Sequence, residues 1–171
     1  MEIVDGGNYL DAIKRLVTEY TKFLGRDLSF QHLDDELNDL SAKYTPPEGR
    51  ILCARVDGEI IGCVAYHRHN AARCEMKRLF VRAGFREHHA GSQLVEAIIN
   101  SARADGFREM VLDTITPLKS AIRLYKKFGF VECAPYYENP MSDVIYMKKI
   151  LTAGMYSADN GVSQNIHEAI K

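Results

Sequence analysis

Glu75-Met-Lys-Arg-Leu-Phe-Val-Arg-Ala-Gly-Phe-Arg-Glu-His-His-Ala-Gly-Ser-Gln-Leu94 is the stretch on which the fold turns. Its first part is apolar through Leu79, Phe80 and Val81 and reads as a strand. A tight turn follows from Arg86 to Gly91. Leu94, Val95, Ile98, Ile99 and Ala102 then recur at helical spacing. Strand, tight turn and helix in succession place unpaired N–H groups and the positive end of a helix dipole at the turn, an arrangement that holds phosphate well. Further along lies a second marked segment, Ala121-Ile-Arg-Leu-Tyr-Lys-Lys-Phe-Gly-Phe130.

Working outward, Glu2 to Val4 reads as a first strand. Asn8 is a candidate cap for a helix bearing Leu10, Ile13, Leu16, Val17 and Tyr20, which Gly25 ends. Ser29 is a candidate cap for a second helix with Phe30, Leu33, Leu37 and Leu40 on one face. Thr45 to Gly49 is a loop, because paired prolines cannot continue a helix. Ile51–Val56 and Ile60–Tyr66 are expected as two strands joined at Asp57-Gly58, a good hairpin turn. Arg73–Val81 is a long strand. Met110–Asp113 is another, after a helix stop at Asp105-Gly106. Pro117 opens the next helix, where a missing N–H costs nothing. Phe130–Cys133 and Val144–Met147 complete the set. The order is β-α-α-β-β-β-α-β-α-β-β, an α/β (α+β) chain with no internal repeat.

Composition narrows the class without choosing a function. The 171 residues suit one domain with a core of ordinary size. A net charge of −1 gives no reason to expect nucleic acid. No apolar run approaches the ~20 residues that span a bilayer. The N-terminus lacks a basic-then-apolar signal, so a cytoplasmic protein is expected. Cys53, Cys63, Cys74 and Cys133 form no Cys-x-x-Cys pair and sit in strand-like contexts, which suits reduced core thiols and leaves no metal site.

The two marked segments together resemble the GNAT superfamily of N-acetyltransferases, which move an acetyl group from acetyl-CoA to an amine. The family's turn pattern, Arg/Gln-x-x-Gly-x-Gly/Ala, is met by Arg86-Glu87-His88-His89-Ala90-Gly91, with His89 in place of the first glycine. The family's downstream pattern, Ala-x-x-x-Tyr-x-x-x-Gly-Phe, is met by Ala121, Tyr125, Gly129 and Phe130. The resemblance covers residues 2–151. It implies a mixed, mostly antiparallel sheet of about seven strands with helices on both faces. It also implies fourth and fifth strands, here Arg73–Val81 and Met110–Asp113, that run parallel and splay apart to admit the cofactor.

The resemblance also assigns roles. Tyr125 protonates the departing thiolate or hydrogen-bonds the cofactor sulfur; otherwise it packs one turn before Phe128. The backbone N–H of Leu79 polarises the thioester carbonyl, and Leu79, Phe80 and Val81 bind pantetheine like an added strand. The pyrophosphate sits on Arg86, Glu87, His88, His89, Ala90, Gly91 and Ser92. Leu118 stands where many relatives carry a pantetheine-binding asparagine, and Ser120 is its candidate replacement. Lys77, Arg78, Arg82 and Arg86 form a basic cluster that either attracts the CoA phosphates or is a solvated strand edge. An alkylamine has a pKa near ~10, so its proton must be removed. Glu75 matches the family's base position, where burial between strands is expected to raise its pKa. The alternatives are a solvent-facing or ion-paired glutamate and a water chain ordered by His67.

In that family the acceptor lies against the first two helices and the loop joining the last two strands, here Ala134 to Pro140. Tyr136, Tyr137 and Glu138 would make a stiff wall for a small cationic or zwitterionic amine. Glu138, Asp34 and Asp35 would meet a second positive charge, unless they are ordinary turn and helix-surface residues. The expected activity is direct transfer of acetyl from acetyl-CoA to a primary amine of a small molecule in a ternary complex, and the family's frequent dimers make a homodimer a candidate assembly. The alternatives are a protein or peptide acetyltransferase and a non-catalytic acyl-CoA sensor, which His89 and Leu118 would suit. Residues 152–171 form a separate tail: a polar linker, then Val162, Ile166 and Ile170 on one weak helical stripe, docked or mobile.

Overall fold

A computed structural model describes residues 1–27 and 32–151, with backbone alone for 86–88. The elements are β1 (Glu2–Asp5), α1 (Leu10–Leu24), α2 (Leu33–Asn38), α3 (Leu40–Tyr44), β2 (Gly49–Val56), β3 (Glu59–Arg68), β4 (Arg73–Val81), α4 (Ala90–Ala104), β5 (Glu109–Ile115), α5 (Lys119–Lys127), β6 (Val131–Glu132) and β7 (Val144–Ile150). The strands form one seven-stranded sheet in the order β1-β2-β3-β4-β5-β7-β6. Every neighbouring pair is antiparallel except β4 and β5, which are parallel. This is the mixed sheet that the family resemblance implies.

Each face of the sheet carries its own apolar layer. On one face Leu94, Val95, Ile98 and Ala102 of α4 are fully buried against Leu52, Ala54, Ile61, Val64, Cys74 and Met76, and α5 joins them through Tyr125. On the other, Ile13, Leu16 and Val17 of α1, with Leu33 and Leu40, cover Ile51, Cys53, Cys63 and Ala65. The alternation of β2 and β3 residues between these layers is the period-2 geometry of a strand buried on both sides.

Local chemistry sets the junctions. Asp57 (φ 48°) and Gly58 (φ 85°) both adopt left-handed backbone, as the tight β2–β3 hairpin requires. Gly25 ends α1 at φ 59°, its N–H returning to Thr21 O at 3.2 Å. Gly49 is held by close approach: a Cβ there would meet the backbone oxygens of Lys43 and Tyr66 at 2.4 Å.

Three local expectations are corrected. Asn8 does not cap α1; Asp5 accepts from Gly7 N at 2.8 Å and starts a 3-10 turn, Gly6–Tyr9, that runs into the helix. The second helix is divided at Asp39, whose carboxylate accepts from Ala42 N at 3.1 Å and so caps α3. Pro117 precedes α5 rather than opening it, and Leu118 stands at the cap. Ser29, Phe30 and the 152–171 tail lie outside the described residues.

Candidate active site

β4 and β5 pair over three residues only: Arg73 with Glu109, Cys74 with Met110 and Glu75 with Val111. Beyond that point β5 keeps its ladder with β7 as far as Ile115, while the β5-facing edge of β4 stands open from Met76 onward. The strands splay, and a cavity of about 580 Å³ occupies the gap. Leu79, Phe80 and Val81 line it from β4, Thr114 and Ile115 from β5.

A bulge shapes the β4 wall. Cys63 pairs with Phe80 and Ala65 with Lys77, so Arg78 and Leu79 together oppose Val64. Arg78 takes φ 60°, costly for a bulky side chain and sustained here by what its guanidinium reaches. Its Nε donates to Glu36 Oε1 at 2.6 Å and its Nη2 to Glu36 Oε2 at 3.0 Å. Tyr44 and Lys43 complete the shell of Glu36 at 2.8 and 2.9 Å. Because of the bulge, sequence neighbours Lys77 and Arg78 both find partners on the α1–α3 side of the sheet.

At the far end of the cavity, a 3-10 turn (Ala83–His88) leads into α4. His89 sits at the α4 N-cap with φ 54° and ψ 21°. The histidine thus adopts the left-handed conformation for which glycine is usually required, which histidine tolerates better than most residues. His89, Gly91 and Ser92 line the cavity, as do Lys119 and Ser120 at the start of α5. Ala90 is fully buried beneath the turn. The expected basic cluster is not one: Lys77 is buried between Glu75 and Asp113, Arg78 is taken by Glu36, and Arg82 by Glu19 and Glu59. The Arg86, Glu87 and His88 side chains lie outside the description. Lys119 is the cation that sequence reading missed at this end; its place in the first turn after a Pro was the available signal.

Tyr125 of α5 is 8% exposed and lines the cavity. Its ring meets Phe130 edge-on at 5.9 Å. Among the described residues its hydroxyl has no hydrogen-bond partner, so it is left to the cavity. Burial pushes its pKa above the ordinary tyrosine value, and the nearby Tyr20 and Asp113 add to the shift, so the phenol keeps its proton.

Glu75 overturns the expectation of a raised pKa. It is 4% exposed, and burial does favour the protonated form. The hydrogen bond from His67 at 2.9 Å and the Lys77 ammonium at 2.7 Å outweigh burial and hold it at about 2. The Tyr136 hydroxyl also donates to it at 2.8 Å. Glu75 does not line the cavity; it anchors a buried row behind it. Lys77, between the two carboxylates, has its pKa raised: burial opposes the charge, but Asp113 and Glu75 more than offset that. Asp113 ends the row at the cavity wall, accepting from Lys77 at 2.8 Å, from the Tyr137 hydroxyl at 2.7 Å and from Asn139 at 3.4 Å.

The anticipated acceptor wall is placed differently. Tyr136 and Tyr137 turn their hydroxyls onto Glu75 and Asp113, and neither lines the cavity between β4 and β5. Tyr137 and Glu138 border a separate, shallower depression with Pro135 and Tyr146. Asp34 and Asp35 are exposed and also lie off the cavity. Its α1 side is formed instead by Tyr20, Phe23, Leu24 and Met141. Asp113 was missed although a charged residue inside Met110-Val-Leu-Asp-Thr-Ile115 was a visible signal. Among the described residues there is no cluster of metal-ligating side chains and no helix long and apolar enough to cross a membrane.

The architecture has relatives. A sequence model of the acetyltransferase (GNAT) family matches residues 11–130. An uncharacterized N-acetyltransferase of Schizosaccharomyces pombe is 48% identical over 141 residues, covering 81% of this chain and 86% of that protein. An acetyltransferase of the GNAT family from Staphylococcus aureus superposes with a TM-score of 0.74 at 20% identity, over 88% of this chain and 99% of that one. A GNAT family acetyltransferase from Elizabethkingia anophelis, solved with acetyl-CoA bound, superposes with a TM-score of 0.56 at 23% identity, over 71% of this chain and 82% of that one. With the sequence match spanning most of the chain and the splayed β4–β5 sheet beneath it, this protein belongs to the GNAT family of N-acetyltransferases.

Proposed function

We propose that the protein transfers acetyl from acetyl-CoA to the primary amine of a small molecule, directly, with both substrates bound together. The observation that carries the reading is the gap between β4 and β5, lined by a protonated Tyr125 whose hydroxyl has no hydrogen-bond partner among the described residues. The acetyl-CoA bound by the Elizabethkingia relative supports the same cofactor here. Pantetheine lies along the open edge of Leu79, Phe80 and Val81, and the pyrophosphate rests on the backbone from Arg86 to Ser92, with Lys119 and Ser120 alongside.

In the reaction the amine nitrogen forms a bond to the thioester carbon while the Leu79 N–H stabilises the oxyanion. The C–S bond then breaks, and Tyr125 gives a hydrogen bond, then its proton, to the departing sulfur; water restores the phenol. The ammonium proton leaves through water toward Asp113. Glu75 acts at one remove, fixing Lys77, which fixes Asp113. The four free thiols suit work in a reducing compartment such as the cytoplasm. A homodimer remains part of the reading, with 152–171 as the segment that would dock.

Calorimetric titration with acetyl-CoA, with CoA for comparison, tests the cofactor. Binding in the micromolar range is the expected result, and release of free thiol on adding amine then establishes transfer. No binding at millimolar acetyl-CoA would overturn the reading.

A further inference from the structure

The cavity passes through the sheet, and its two sides differ in chemistry. Toward α4 and α5 lie the α4 N-terminus, Lys119 and Ser120. Toward α1 the wall is apolar: Phe23 and Leu24 of α1 and Met141 before β7, with Phe80 against Tyr20 at 5.4 Å between ring centres. Phe23 is 61% exposed and presents apolar surface to the cavity.

The polar groups on that side are few, and most are already matched. Arg26 donates to both carboxylate oxygens of Asp143 at 3.3 and 2.7 Å. Lys77 is shared by Glu75 and Asp113, so two carboxylates divide one ammonium, and only Asp113 of the two lines the cavity. The Tyr20 hydroxyl has no hydrogen-bond partner among the described residues and borders the same space. Burial, outweighing the nearby Arg78, pushes Tyr20 up to about 12, so it is a neutral phenol able to donate or accept.

A single anionic anchor, a free phenol and an apolar wall define a site for one ammonium and an uncharged body. Among the described residues no second carboxylate lines the cavity to receive another ammonium: Asp34, Asp35 and Glu138, the acids expected to do so, lie elsewhere. Burying it unpaired is costly. Resting on the transferase reading, we propose that the acceptor is a monoamine with an aromatic or other apolar body. Its nitrogen lies against Asp113 and Tyr20, and its body against Phe23, Leu24 and Met141. Polyamines and aminoglycosides are selected against because Asp113 is the single acid among the described lining residues.

The test is an amine panel at saturating acetyl-CoA, read as free CoA thiol: phenethylamine and tryptamine against spermidine and kanamycin. The aromatic monoamines are expected to exceed the polycations by at least about 100-fold in kcat/KM. Phe23→Ser is expected to raise the phenethylamine KM about tenfold, and Asp113→Asn likewise, while both variants keep wild-type affinity for acetyl-CoA, which also shows that they fold. Acetyl-CoA binding with spermidine used as well as phenethylamine, or with no panel amine used, overturns this inference alone. So does an unchanged phenethylamine KM in either variant. Failure of acetyl-CoA to bind strikes the transferase reading instead.

Discussion

Replacing Glu36 by Gln removes one charge from the pair that holds the β4 bulge. Glu36 is 6% exposed and accepts from Arg78, Tyr44 and Lys43. Burial opposes its ionisation, but the hydrogen bonds and charge of Arg78, with help from Lys43, lower its pKa from 4.5 to about 2. That difference corresponds to about 3 kcal/mol of stability at neutral pH. An independent route agrees: breaking a buried ion pair by removing one partner costs about 3–5 kcal/mol. Glu36→Gln should therefore lower the urea-unfolding free energy at pH 7 by about 3 kcal/mol at constant m, and the Tm by roughly 6–12 °C. The pH dependence has a definite sign. A carboxylate with a depressed folded pKa stabilises fully above its unfolded value of 4.5, and that stabilisation fades as pH falls toward about 2. Wild type and variant should converge across that window. Equal urea midpoints at pH 7 would refute the reasoning, since the Arg78 guanidinium would then be indifferent to its buried partner.

Three further outcomes are expected. Tyr125→Phe should lower kcat by about 10²–10⁴ and leave acetyl-CoA affinity within about twofold, measured by thiol release and calorimetry; wild-type turnover would remove Tyr125 from the chemistry. Glu75→Gln should cost less than about tenfold in kcat/KM and leave the acidic limb of the pH–rate profile in place, because a carboxylate at about 2 is already ionised throughout the working range. A hundredfold loss with a moved limb would make Glu75 the base after all. Gly49→Ala places a Cβ 2.4 Å from two backbone oxygens, so it should destabilise by at least about 1–3 kcal/mol in the same urea assay.

What the sequence reveals here is what neighbours in sequence decide. The bounds of β4, Arg73–Val81, are legible because apolar spacing and flanking polar residues set them locally. The Asp57-Gly58 hairpin is legible because two consecutive left-handed residues have few other uses. The splay is legible only through the family resemblance, since no residue of β4 announces that its ladder stops at Glu75. The errors share a cause in long-range partners. Glu36 follows directly on Asp34 and Asp35 and nothing local sets it apart from them, but Arg78, brought from β4, buries it. Glu75 reads as a carboxylate with a raised pKa, but His67, Lys77 and Tyr136 converge on it from β3, β4 and the loop before β7. Tyr136 and Tyr137 read as a substrate wall because their aromatic rings are visible and the carboxylates that occupy their hydroxyls are not. Asn8 loses the helix start to Asp5 because Gly6 packs closely on Ile13 and Ile51, where a Cβ would lie 2.9 and 3.0 Å from their side chains.

The short seam between β4 and β5 also has a mechanical meaning. Three residue pairs join a wing of β1 to β4 to a wing of β5, β7 and β6, whereas β2 and β3 share eight. Backbone hydrogen bonding therefore resists relative rocking of the wings weakly, and the stiffness across the gap comes from the helices, from side-chain bridges such as Lys77–Asp113 and Arg73–Glu109, and from whatever fills it. An extended occupant lying along the open edge acts as a splint. Local opening near the seam is then governed by occupancy, and amide hydrogens of residues 76–81 and 112–115 should exchange faster in the empty protein than those of β2 and β3, slowing when the splint is in place.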